Sequence, residues 1–103
     1  MYKLEFTGKF KKDYKICRKS SYDISLIETA FNILAETGTL PFKEYKTHKL
    51  AGTKKEIWDA HIEPDWLLLW TLKDSDDLEF EGVVSLIRTG AHSNLFGKKS
   101  IFK

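Results

Sequence analysis

The run Trp66-Leu67-Leu68-Leu69-Trp70-Thr71-Leu72 limits what this chain can fold into more than any other stretch of it. With one polar interruption in seven residues, it has no face to offer to water. A helix crossing a bilayer takes about 20 apolar residues, so this run is far too short for that. It reads as a strand near the middle of a sheet, covered on both faces. The rest of the sequence must therefore supply two covering layers.

The neighbouring segments read as further sheet and helix. Glu56 to Ile62 alternates, with Trp58, Ala60 and Ile62 on one face and Ile57, Asp59 and His61 on the other. Glu63-Pro64-Asp65-Trp66 fits a turn with proline at its second position, and Asp74-Ser75-Asp76-Asp77 is a polar turn. Leu78 to Arg88 gives another strand or strand pair, kinked at Gly82 and broken by Thr89-Gly90. Tyr2 to Phe6 alternates as a short half-buried strand. Thr7 then caps a helix over 8–19, whose apolar stripe is Phe10, Tyr14 and Cys17. Asp23 caps a second helix with Ile24, Ile27, Ala30, Phe31 and Leu34 on its apolar face, ended by Gly38. Residues 38–55 show no period of either kind and read as a long loop, a length that points to function in a compact domain. The fold class is α+β: two N-terminal helices packed on a small antiparallel sheet, in the order β-α-α-β-β-β with a short C-terminal segment.

A length of 103 residues predicts a single domain over residues 1–103, and 42% hydrophobic residues suffice for one core. The single cysteine, Cys17, excludes an internal disulfide framework and reads as a small buried helix residue. Met1-Tyr2-Lys3-Leu4-Glu5 lacks the pattern of a secretory leader, so a soluble cytoplasmic protein with no membrane contact is expected. The net charge of +2 hides an asymmetry. Residues 1–55 carry twelve Lys and Arg against six Asp and Glu, whereas residues 56–103 carry five against nine. A basic half of this kind suits a polyanion, though a solvated helix surface would look the same.

The chemistry centres on three histidines, His48, His61 and His92, each at a turn or in a segment without period. Histidine exchanges protons near neutrality. His61 and Asp65 flank the proline turn, where a carboxylate beside an imidazole would fix its orientation; the alternative is a turn-capping aspartate. Trp66 is either a core aromatic or a surface for stacking a base. Arg88 precedes Thr89-Gly90-Ala91-His92 and is either a phosphate ligand or half of a salt bridge. The spacing supports no zinc site, phosphate loop or serine-nucleophile elbow, so neither metal nor cofactor is expected.

The stretches His48-Lys49-Leu50-Ala51-Gly52, Asp59-Ala60-His61-Ile62-Glu63-Pro64-Asp65-Trp66 and Arg88-Thr89-Gly90-Ala91-His92-Ser93-Asn94-Leu95-Phe96 resemble the YafQ branch of the RelE/ParE toxin superfamily. The resemblance covers nearly the whole chain. It implies a RelE-like fold and a toxin of a type II toxin–antitoxin pair that inhibits translation as a ribosome-dependent endoribonuclease. Such enzymes cut messenger RNA without a metal, by attack of a ribose 2′-hydroxyl on the adjacent phosphate. It further implies that His48, His61, Asp65 and His92 are catalytic, with His92 as the acid, His48 and Asp65 sharing the base role, and His61 orienting the phosphate. Arg88, Phe96, Trp66, Lys46 and Lys49 become candidate RNA contacts, and an antitoxin, the ribosome and messenger RNA the partners. Trp58 departs from the family, where arginine is frequent, and three lysines follow Phe96. The competing expectation is a noncatalytic ParE-like toxin that grips a partner such as DNA gyrase, which has no need of three proton carriers.

Overall fold

The computed structural model describes residues 1–52 and 54–95. The elements are β1 (Tyr2–Phe6), α1 (Gly8–Lys19), α2 (Ile24–Thr37), α3 (Phe42–Tyr45), β2 (His48–Lys49), β3 (Trp58–Glu63), β4 (Trp66–Lys73), β5 (Gly82–Gly90) and α4 (His92–Leu95). The strands form one sheet in the order β1-β5-β4-β3-β2. The fold is thus α+β as expected, and the apolar run is its central strand. Trp66 to Trp70 are all buried.

Two apolar clusters enclose β4. On one face Trp66, Leu68 and Trp70 join Phe10 and Cys17 of α1 and Ile27, Ala30 and Leu34 of α2. On the other face Leu67 and Leu69 join Ile57 and Leu95, with Leu50 and Ile87 packed against them. The helical hairpin therefore covers one side, and short pieces from the loop and the C-terminal segment cover the other.

Local chemistry explains the helix ends. Thr7 Oγ1 accepts a hydrogen bond from the Phe10 amide at 3.2 Å, and Asp23 Oδ1 accepts one from the Ser25 amide at 3.1 Å. Each satisfies an amide that has no partner within its helix. Gly38 closes α2 in the left-handed conformation, φ 78°, with its amide donating to the Leu34 carbonyl at 2.8 Å.

Four expectations need correction. The sheet is mixed rather than antiparallel, because β1 runs parallel to β5, pairing Tyr2 with Gly82 through Phe6 with Leu86. The helical hairpin is the crossover that makes this possible, returning the chain before the antiparallel strands begin. The stretch read as a long loop contains α3 and the edge strand β2, both too short to show a period. Residues 78–81 lie outside any strand, and Leu78 is fully exposed. Thr89 and Gly90 do not break β5 but end it, paired with Leu68 and Leu67.

Gly38 and Gly52 share a φ of +78°, yet a Cβ at Gly38 would lie 2.7 Å from the Tyr2 ring whereas one at Gly52 would meet nothing within 4 Å. Gly52→Ala is expected to cost about 1 kcal/mol from backbone strain alone, and Gly38→Ala roughly 2–3 kcal/mol because the ring must also move. Urea denaturation of both variants measures the difference; equal losses would remove the packing component.

Candidate active site

The histidines gather on the sheet face away from the helical hairpin. Ile57 is buried there in the second cluster. Asp59 and His61 follow it at steps of two and so share its face. His48 on β2 is the register partner of Asp59, and paired residues on adjacent strands point to the same side. Leu95, buried in the same cluster, anchors α4 and carries His92 to the rim. The Asp65 carboxylate then fastens that segment, its Oδ1 accepting the backbone amide of His92 at 3.1 Å.

Two ring orientations are set by carbonyls. His48 Nδ1 lies 3.0 Å from the Lys46 carbonyl and His61 Nδ1 lies 3.2 Å from the Pro64 carbonyl. A carbonyl only accepts, so each Nδ1 carries the proton in its bond, and the neutral rings keep their lone pair on Nε2. Lys46, at the end of α3 with φ 52°, turns the chain so that its carbonyl meets the His48 ring.

Asp59 sits beneath the histidines. It is 5% exposed, its Oδ2 is 3.6 Å from His48 Nε2, and its Oδ1 accepts no hydrogen bond among the described residues. Burial pushes its carboxyl above the usual carboxylate range, while His48, His61 and His92 pull it back. His48, His61 and His92 thus stand on the same side of the sheet as one buried carboxylate, with His48 set against it.

The remaining candidates fall elsewhere. Trp66, read as core or stacking surface, is core: it is 2% exposed, lies 4.6 Å from the Tyr22 ring and donates from Nε1 to Thr89 Oγ1 at 2.9 Å. No face of the indole is left for a base. Arg88 is half of an ion pair with Asp13 of α1, its Nη2 donating to Oδ1 at 3.1 Å and its Nε to Oδ2. The Thr89 amide also donates to that carboxylate, at 3.2 Å. Lys49 reaches Glu56 at 3.1 Å and lies over the Trp58 ring, and Lys46 lies over the Phe42 ring. Phe96 and the lysines after it lie outside the described residues.

Neither Asp13 nor Asp59 is among the site residues expected from the sequence, although Asp59 opens the run that ends at Trp66. Both carried a signal. Asp13 falls at the fourth position of the stripe Phe10-Tyr14-Cys17, and Asp59 stands on the Ile57 face of its strand. A carboxylate on an apolar stripe must find partners on folding.

Comparison with known proteins follows this geometry. The family model described as a bacterial toxin of type II toxin–antitoxin system, YafQ, matches residues 2–97. The mRNA interferase toxin YafQ of Escherichia coli strain K12 is 39% identical over 95 residues, covering 91% of this chain and 95% of that protein. A crystal structure of a metal-bound toxin from Helicobacter pylori superposes with a TM-score of 0.78 at 35% identity, over 93% of this chain and 100% of that one. A chain of the E. coli DinJ-YafQ toxin-antitoxin complex gives 0.77 at 34% identity, over 93% of this chain and 98% of that one.

Two outcomes test the scaffold of the site. Asp13→Ala leaves Arg88 charged and mostly buried, and is expected to cost about 3 kcal/mol in urea denaturation; a loss below about 1 kcal/mol would mean that water replaces the carboxylate. Asp65→Ala is expected to cost under about 1 kcal/mol while speeding hydrogen exchange at the His92 amide. An unchanged exchange rate would show that the segment is held by Leu95 alone.

Proposed function

The chain belongs to the YafQ family of bacterial type II toxins, and we propose that it is a ribosome-dependent endoribonuclease that inhibits translation by cutting messenger RNA. The observation that carries this reading is the grouping of three imidazoles on one side of the sheet, with His48 Nε2 3.6 Å from the buried Asp59 carboxylate and Asp65 holding the backbone of His92. Cleavage by an RNA's own 2′-hydroxyl needs a base, an acid and charge at the phosphate. Histidines in two protonation states supply all of these near neutrality.

The proposed division of labour follows the ring orientations. His61, with Nδ1 against the Pro64 carbonyl, offers Nε2 to the 2′-hydroxyl proton, whereas His48, with Nδ1 against the Lys46 carbonyl, turns its Nε2 toward Asp59 at 3.6 Å. His61 thus takes the base role rather than only orienting the phosphate, and His48 supplies charge beside it. Asp65 holds the backbone of the segment that carries His92, which makes it a positioning group instead of a second base. His92 protonates the departing 5′-oxygen. The 2′-oxygen–phosphorus bond forms, the bond from phosphorus to the 5′-oxygen breaks, and a cyclic phosphate is left. Protons pass from the 2′-hydroxyl to a histidine and from His92 to the 5′-oxygen, so the proposed route uses no cofactor.

The exposed cations of α1, among them Lys11, Lys15 and Lys19, offer counter-charge to ribosomal RNA. With two of its donors held by Asp13, Arg88 has a smaller part at the phosphate than a free arginine would. The relative in the DinJ-YafQ complex is bound to its antitoxin; we propose a cognate antitoxin here too, and a cytoplasmic site of action where ribosomes translate.

Mapping message ends on purified translating ribosomes tests the reading. Wild type is expected to give discrete cuts, and none with ribosome-free RNA at the same concentration. His92→Ala is expected to lower the cutting rate by about 100-fold or more with unchanged stability. Intact message in the presence of wild type rejects the nuclease; parental cutting by the variant rejects His92 as the acid.

A further inference from the structure

We infer that Asp59 is a positioning residue of this reaction, a buried carboxylate that holds His48, His61 and His92 as one electrostatic unit; the inference rests on the nuclease reading. Its partners surround it. From β2 it faces His48, along β3 it faces His61, from α4 comes His92, and β4 sets the apolar Leu69 beside it. Across the sheet Leu69 is in register with Arg88, which Asp13 already engages, and Lys49, beside His48 on β2, is paired with Glu56.

The contrast with Asp13 separates the two acids. Asp13 accepts three hydrogen bonds and links α1 to β5, as a carboxylate with a structural task does. Asp59 has an imidazole nitrogen at 3.6 Å from one oxygen, and its other oxygen is buried without a partner among the described residues. Such a group costs stability where it stands. What it offers is a fixed negative charge in a poorly solvated place, where attraction to a cation exceeds that in water.

That charge matches the proton balance of the cleavage. Before the step, the acid His92 is the imidazolium. Afterwards the proton from the 2′-hydroxyl sits on His61, and the His92 proton has left with the 5′-oxygen. One imidazolium is present at each end, and Asp59 balances it in both. A neutral His48 ring also turns its Nε2 lone pair toward the carboxylate, an arrangement relieved when the ring takes a proton. The same charge favours a proton on His61, so Asp59 strengthens the base while touching neither the RNA nor the phosphate. Burial already pushes its carboxyl up, and the three histidines oppose that.

Asp59→Asn keeps the shape and removes the charge. In ribosome-bound cleavage it is expected to lower kcat by about tenfold or more with KM unchanged. At pH 8 its urea midpoint is expected to equal or exceed the parental one, since ionising a carboxyl whose folded pKa is raised costs stability as pH rises. That advantage shrinks as the pH falls and the carboxyl takes up its proton. A parental kcat, or a lost kcat accompanied by a lower midpoint, overturns the inference. A second arm needs neither RNA nor ribosome: carboxyl NMR of Asp59 in the full chain, comparing wild type with His48→Gln, His61→Gln and His92→Gln. The Asp59 titration is expected to move upward in His48→Gln and in at least one of the others, and anything less overturns the proposal. Uncut message with wild type would instead reject the nuclease reading and leave this arm to decide on its own.

Discussion

The burial of β4 on both faces is the constraint from which the rest of the molecule follows. A strand with Trp66, Leu68 and Trp70 on one side and Leu67 and Leu69 on the other needs two covers. The helical hairpin is a generous one. Among the described residues the second cover is thinner, assembled from Ile57, Leu50, Ile87 and Leu95. A thin layer leaves the strand-borne polar groups beside it near solvent, which is where His48 and His61 lie. The proposed active site lies on this face because the other is filled with hydrocarbon.

The two buried acids show how differently one residue type is used. Asp13 binds α1 to β5 through three donors and stabilises the chain exit that leads to His92. Asp59 lacks that satisfaction. A fold under pressure for stability alone would place an apolar residue there, next to Ile57 and Leu69. Its place on an apolar face fits the positioning role inferred above, the kind of local cost that active sites carry and the surrounding core offsets.

Much of this was legible in the residues. β1, α1 and α2 announce themselves through period and caps, since Thr7, Asp23 and Gly38 act locally. The central strand was visible from hydropathy alone. Strand direction was not, because the pairing of β1 with β5 depends on residues far apart in sequence and leaves no local trace. α3 and β2 are too short for any period to emerge, and residues 78–81 looked like strand only because Leu78 and Phe80 alternate with acids. At the site, the histidines could be named but not placed. Whether Trp66 and Arg88 faced solvent depended on Thr89 and Asp13, partners that only tertiary contact supplies.

The parallel pairing of β1 with β5 also bears on synthesis. Thr7 at the end of β1 donates its amide to Leu86 at 3.1 Å, and its hydroxyl reaches Ile87. The first strand made therefore waits for almost the last one before its ladder can close. Contacts of such long sequence separation form late and slowly. On the proposed mechanism, a nascent chain still threaded through its own ribosome has no finished sheet, and hence no assembled imidazole cluster, with which to cut the transcript being read.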